Sequence, residues 1–452
     1  MALNNRIGPT AVAAALGLAA LASAGSAHAI ACSAVVASLP AALQAHVIYG
    51  SGGSAITPTL SQVAYVLSQS STPIFVFYQD AGGAGAGYSS FTSGTGGTTA
   101  RPFRYWLTQA DVTTNTLTCT ADAATGRSVD FATTGGTLAL FDGLTLAADT
   151  GVFTGPTQGV NVIVPWDSTE TSVSAEALFF VYGFGNADQL SGATSVIPWT
   201  KKDYIFQRAS TAFAQQFLRG AIRTLGGSAA NFPADFANAS TQVITHSASG
   251  KDDNQGAVDS LVWAASQGHA QDAIAFTSGP TADKNRTAGK AHTLAYQHDG
   301  QDAAYWPDSS ADTFDKINIR NGHYFLWDTN QFFTKITGSN AHPTLDQIVN
   351  PDVKAFIGYI SGQLDSPTVD ASVGGHDAVT EAVIKTGSIP QCAMQVKRDS
   401  DFAGLGCYAP ANPCGHFFEQ IATKATTGDA CTSNAQCGGA EPKCHFNFCE
   451  AY

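Results

Sequence analysis

Two short stretches of this chain place groups suited to holding an anion at the start of a helix. The first, His46 to Ser70, reads HVIYG, then SGGS, then AITPTLSQVAYVLSQS. An apolar run ends in a Gly/Ser turn, and Ile56, Leu60, Val63, Ala64 and Leu67 then recur at helical spacing. Thr57 reads as the N-cap and Pro58 as the first helical residue. Such a strand–turn–helix aims free backbone N–H groups and a helix's positive end at one point, which makes Gly53, Ser54 and Ala55 candidate ligand donors. The same turn also serves as a plain packing unit. The second stretch is YIFQ-RAST-AFAQQFLRGAI, where a strand delivers Arg208, Ser210 and Thr211 to a helix start. A guanidinium fork suits an oxyanion and the hydroxyls add donors. The alternative is that Ser210 or Thr211 only caps the helix while Arg208 lies on the surface. Ser89 joins the candidates if the Gly/Ser/Thr stretch Gly82 to Thr99, read as a mobile loop, lines a cleft.

Signatures of other chemistry are thin. No G-x-G-x-x-G opens a helix, and G-K-[ST], G-x-S-x-G and H-E-x-x-H do not occur. His292, His298 and His323 lie near Asp299, Asp302 and Asp328 in sequence, a set from which a metal site or triad could be built. Polar loops of exported proteins collect such residues without either. The chain is therefore read as a non-enzyme with no cofactor and no metal.

The elements that must position these residues start after a leader. Arg6, the apolar run Ala11 to Ala24, and Ala27-His28-Ala29 have the three-part form of a secretory signal, so residues 1–29 are set aside and the chain is read as exported, either periplasmic or secreted to the medium or cell surface. No later run approaches the ~20 apolar residues of a membrane span. Cys32 follows the cleavage site, but a lipid-anchor box would want a larger aliphatic residue where Ala29 stands. A formal net charge of −13 argues against nucleic acid or an anionic membrane as partner, because phosphate backbones need basic patches. It leaves room for a small anion held by local N–H groups.

Alternating strand and helix signals run through the body. They include TPIFVFYQ, GPTQGVNVIVPW, SAEALFFVY with Ser174 as cap, TQVITH, a helix from Gln255 to Gln267, and DAIAFTS. This rhythm predicts an α/β fold with mostly parallel sheets. A helix is expected from about Thr329, and further helices over Pro351 to Gln363 and Ala378 to Thr386. From Ile389 the composition shifts to Cys, Gly and Pro. Cys392, Cys407, Cys414, Cys431, Cys437, Cys444 and Cys449 are disulfide candidates in a separate small module that needs its bridges to fold. Nine cysteines are an odd number, so at least one thiol lies outside any internal pairing.

In order and context, GSGGSA after the first strand, VNVIVPW, SAEALFFVYGFG, IPWTKKDYIFQR, DAIAFTS and FDKINIRNGHYFLW resemble the type 2 periplasmic substrate-binding fold. The likeness is to the phosphate-binding proteins of ABC transporters and their secreted relatives, over roughly Val47 to Gln363. The resemblance implies a two-lobed α/β fold with a small Cys-rich C-terminal module. Lobe one would comprise residues 30–159 and 286–388, lobe two 160–285 and the tail 389–452, with crossings near Val160 to Pro165 and Ala282 to Tyr296. It further implies hinge closure on a small ligand, a monomer, and an ABC permease as transport partner. Gly53, Ser54 and Ala55 match the family's first ligand turn, and Arg208 its arginine. Where that family has Ser-Gly-Thr, this chain reads Ala212-Phe213-Ala214 before Gln215-Gln216. Two expectations follow: a solute-binding protein for an oxyanion, or a secreted or surface interaction protein that kept the fold and lost the ligand.

Overall fold

The computed structural model describes residues 30–80, 82–183, 197–209, 211–222, 242–243, 253–369, 373 and 377–451. Residues 1–29, read from sequence as a leader, Ser210 and most of the strand expected over Thr241 to His246 lie outside these residues. Helices α1 (Cys32–Ser38) and α2 (Ala41–Gln44) lead into β1 (Val47–Gly52), α3 (Thr57–Ser68), β2 (Phe75–Gln79) and α4 (Gly83–Ser93). Next come β3 (Phe103–Arg104), α5 (Gln109–Thr114), β4 (Thr118–Cys119), β5 (Phe131–Thr134) and the long strand β6 (Thr150–Pro165). The chain continues through β7 (Ser172–Ser174), α6 (Ala175–Leu178), β8 (Phe206–Gln207), α7 (Phe213–Ala221) and β9 (Gln242–Val243). Then follow α8 (Asn254–Ser266), β10 (Ala275–Ser278), α9 (Gly279–Thr287), β11 (Ala291–Thr293) and β12 (Ala295–Gln297). It returns through α10 (Ile317–Arg320), β13 (Trp327–Lys335), α11 (Pro351–Ile360) and α12 (Ala378–Lys385). The tail holds β14 (Val396–Lys397), β15 (Gly406–Cys407), α13 (Gly415–Thr423), β16 (Lys443–His445) and β17 (Phe448–Glu450).

One sheet runs β10-β6-β13-β5-β1-β2-β3-β4, with β11 also on β6. Strand β6 belongs to two lobes. Thr150 to Gly159 pair with β13 of the first lobe, and Val160 to Pro165 pair with β10 and β11 of the second. Strand β12 still pairs with β7, so the return to the first lobe falls at Trp327, where β13 begins, later than Ala282 to Tyr296. Only β1, β2 and β5 run parallel within the first lobe, while the pairings of β6 and β13, the β2–β3–β4 edge and the two tail hairpins are antiparallel. The expectation of mostly parallel sheets is corrected accordingly, because a strand that returns from the other lobe must run against its neighbours.

Side-chain alternation along the strands buries both faces. Ile48, Val76 and Tyr78 pack under α3, α11 and α12, while Tyr49, Phe75 and Phe77 pack on the opposite face with α1 and α4. Helix α3 starts one residue before the expected position, with Ile56 at its N-cap and no side-chain cap. Segment 82–99 is corrected from loop to helix over Gly83–Ser93. Its glycines let α4 approach β1: a Cβ on Gly87 would stand 2.2 Å from the Gly52 Cα. Gly87→Ala should therefore cost about 1–3 kcal/mol in a denaturant titration, the usual range for overpacking. An unchanged midpoint would contradict this packing. The helix expected near Thr329 is instead the central strand β13, paired on both edges.

The tail carries bridges Cys392–Cys414, Cys431–Cys444 and Cys437–Cys449, and a fourth joins Cys32 to Cys119. Cys407 is free and exposed, which removes it from the disulfide candidates and leaves it as the odd thiol. The module is not separate, because Phe417, Phe418 and Phe448 share an apolar cluster with Tyr324, Leu326 and Trp327. Arg320, 2 % exposed, reaches from the body to Glu419 at 3.2 Å and to the Ala393 carbonyl at 3.0 Å.

Candidate ligand site between the lobes

Strands β1, β2 and β5 end at one rim of the first lobe, the edge where open α/β sheets bind ligands. The turn after β1 carries Gly53, Ser54 and Ala55. The Gly53 carbonyl accepts a hydrogen bond from the Tyr78 hydroxyl at 3.0 Å, and Ala55 is buried against the apolar cluster that joins the lobes. Ser54 is half-buried and faces the second lobe. Its Oγ accepts from the Asn254 backbone N–H at 3.3 Å and from Asn254 Nδ2 at 3.0 Å.

From the second lobe, β8 delivers Arg208, which is 4 % exposed. Its backbone N–H donates to Gln215 Oε1 at 3.1 Å, tying the strand end to α7, and its Nη1 donates to Asn254 Oδ1 at 3.0 Å. The same oxygen accepts from Thr277 Oγ1 and the Ser278 N–H, each at 3.0 Å. Asn254 thus connects Ser54 of one lobe to Arg208 of the other. It lies at the first residue of α8, and Asp253 caps that helix by accepting from the Gly256 N–H at 2.7 Å.

Four helix N-termini converge here, each with the positive end of its dipole inward. A Cβ on Gly53 would lie 3.1 Å from the Ala84 nitrogen in α4, and one on Gly83 would lie 2.4 Å from the Thr211 carbonyl before α7. Helices α3, α4 and α7 have no side-chain cap, and Gly82 at the start of α4 takes φ +91°, which favours glycine. Two carboxylates temper this positive field. Asp80 accepts from Arg104 Nε at 2.8 Å and from Thr57 Oγ1 at 3.2 Å. Burial raises the Asp253 carboxyl above its usual range, while the Gly256 N–H and Arg208 pull it back.

Of the residues read from sequence, Gly53, Ser54, Ala55, Arg208 and Thr211 meet at this junction. Thr211 is exposed and contributes its carbonyl, which accepts from the Gly85 N–H at 3.3 Å. Ser89 lies within α4 and gives its hydroxyl to the Gly85 carbonyl at 3.0 Å, so it serves the helix. Asp80, Arg104, Asp253 and Asn254 escaped the sequence reading. A carboxylate directly after β2 and the Asp-Asn pair before α8 were the available signals.

The histidines do not gather. His292 Nε2 meets the Ser168 carbonyl, His323 stacks on Tyr305, and His298 stacks on Phe325 with ring centroids 3.5 Å apart. Burial pushes the His298 imidazole down to about 4, which leaves it neutral. Among the described residues the group with metal-ligand spacing is Cys431, Cys437 and Cys449, whose sulfurs are in disulfides.

Strand β6 crosses between the two lobes, and the chain returns to the first where β13 begins. This course is similar to that of type 2 periplasmic binding proteins. No protein-family model matches the chain, and no curated protein matches it in sequence. Solved structures with a similar course include an ABC-type phosphate transport receptor from Vibrio cholerae, at 15 % identity, 76 % of this chain, 99 % of that chain and TM-score 0.40. A phosphate-binding protein from Stenotrophomonas maltophilia follows at 12 % identity, 76 % and 90 % coverage and TM-score 0.41. The reduced form of the OxyR regulatory domain from Pseudomonas aeruginosa is similar at 7 % identity, 69 % and 96 % coverage and TM-score 0.32. These likenesses concern the course of the chain, and the site rests on this chain's own geometry. Among the described residues no helix is long and apolar enough to cross a membrane.

Proposed function

We propose that this chain is an exported, non-catalytic binding protein that closes two lobes on a small oxyanion at the Ser54–Arg208 junction. The observation that carries this reading is the convergence of three uncapped helix N-termini on a buried arginine. Backbone N–H groups and a guanidinium are the donors an oxyanion needs. The ligand acts by bridging the lobes, which shifts the open–closed equilibrium toward the closed form. Phosphate is the first candidate, and an ABC permease is the partner a transport receptor would hand it to.

A thermal-shift series with phosphate, sulfate and other oxyanions tests this directly. A ligand at a hundred times its Kd adds about 2.7 kcal/mol to the folded state. Wild type should rise in Tm with one of them, and Arg208→Ala should rise clearly less at the same ligand concentration. Equal responses in both would contradict the role of Arg208.

One observation favours a second reading, in which the fold persists as an interaction protein without a ligand. Asn254 already joins Ser54 to Arg208, and Phe213 fills the rim: a Cβ on Gly135 would lie 2.2 Å from its ring. On that reading no oxyanion shifts Tm in either protein.

A further inference from the structure

The bridge Cys392–Cys414 closes a loop that contains the hairpin β14–β15, and both sulfurs sit at its base against the body. The tip of this hairpin, residues 398–405, reaches the rim of the interlobe site. Asp401, 7 % exposed, accepts from the Thr137 N–H at 2.8 Å and also from the Thr137 hydroxyl. Thr137 lies in the first lobe, just past the end of β5. The next residue of the tip, Phe402, packs on Phe217 of α7 in the second lobe, with ring centroids 5.1 Å apart. Gly220 makes room for it, since a Cβ there would lie 2.2 Å from the ring. Arg398 donates to the Phe325 and Trp327 carbonyls, each at 2.7 Å, where the chain crosses back between lobes. One hairpin therefore grips a first-lobe rim, a second-lobe helix and the crossing segment.

We propose that the hairpin spanning residues 396–407 is a latch that holds the two lobes closed over the interlobe site. This rests on the reading of the lobes as a hinged pair. Opening the hinge must separate Thr137 from α7, and so must break either the Asp401 hydrogen bonds or the Phe402 contact. The two ends of the latch are tied to each other by a disulfide buried against the body, while its tip is held by polar and aromatic contacts alone, so the tip is the part that releases.

A proton reinforces the tip. Asp328, at the start of β13, is 8 % exposed, and among the described residues no donor reaches its Oδ2. Its carboxyl shares the space over Gly136 with Asp401: a Cβ there would lie 2.9 Å from Asp328 Oδ2 and 2.8 Å from Asp401 Oδ1. Burial first, and the Asp401 charge second, hold the Asp328 carboxyl well above the ordinary range. Arg398 is the cation facing both. The Gly135–Thr137 loop adds an N–H and a hydroxyl, and α7 meets the tip with Phe217 and Gly220. Below its raised pKa, Asp328 is neutral beside Asp401. As pH rises through that value two carboxylates face one another, and the tip weakens.

The test is a spin-label distance across the lobes in the full mature chain, with Cys407→Ser to remove the exposed thiol. Labels at Ala110→Cys on α5 and Val262→Cys on α8 should give one short distance in the parent. Asp401→Ala/Phe402→Ala should add a longer population, and the milder Asp401→Ala a smaller one, since alanine removes both acceptors that Thr137 uses. Asp401→Ala decides the matter if the double variant does not fold. The parent should also gain the longer population as pH is raised, whereas Asp328→Asn, which cannot ionise, should not. An unchanged distribution in the Asp401 variants would overturn the latch. No ligand enters this measurement, so a failure of the oxyanion reading leaves its outcome intact.

Discussion

Lys316→Met is expected to lower stability by about 3–5 kcal/mol, the usual cost of stranding a buried charge. Lys316 is 1 % exposed, and its Nζ lies 2.8 Å from Asp283 Oδ2 and 2.8 Å from Asp308 Oδ1. Arg286 Nη2 closes the square at 3.1 Å from Asp283 and 3.0 Å from Asp308. Burial alone would lower the Lys316 pKa, but the two carboxylates outweigh it and hold the ammonium charged. Methionine keeps the volume and leaves two buried carboxylates to one arginine. The loss should show as a lower urea midpoint at neutral pH and should shrink at acid pH, where a stranded carboxyl can take up a proton. A cost under about 1 kcal/mol, typical of an exposed pair, would contradict the burial of this network. The square joins α9 to the connection that leads into β13, so it fixes the path between the lobes.

The second large effect concerns the lead-in. Cys32→Ser/Cys119→Ser should cost about 4 kcal/mol, because the bridge closes a loop with a sequence separation of 87 and removes much entropy from the unfolded chain. Both cysteines are buried, in the cluster that holds α1 against the aromatic face of β1 and β2. Guanidinium titrations of the oxidised wild type and of the double variant, which keeps the three tail bridges, measure it. A variant as stable as the oxidised wild type would contradict the account. Since Cys32 is bonded to Cys119, its sulfur is engaged within the fold and does not offer a thiol for a lipid.

The parts of this fold that were legible in sequence are those whose local signals agree with their surroundings. The apolar run before Gly53 and the helical spacing after it define β1 and α3. The helical pattern over Gln255 to Gln267 defines α8. Helix α4 was hidden because its glycines serve a contact across the fold, the close passage over Gly52, and glycine density alone reads as loop. Strand β13 was hidden because WDTNQFFTK has neither clean alternation nor a turn before it, and its place is set by partners on both edges. In the site, Ser54 and Arg208 were readable from residue type and position. The role of Asn254 was not, because it depends on four hydrogen-bond partners that come from β1, β8 and β10.

The most direct measurement is a calorimetric titration of the mature chain, residues 30–452, with phosphate and then with sulfate. The account predicts saturable heat with one of these oxyanions in the wild type, and an affinity at least about tenfold weaker in Arg208→Ala, the loss of a charged hydrogen bond. A folded wild type that gives no heat with any oxyanion would contradict the claim that the lobes close on a ligand, and would leave Asn254 as what they close on.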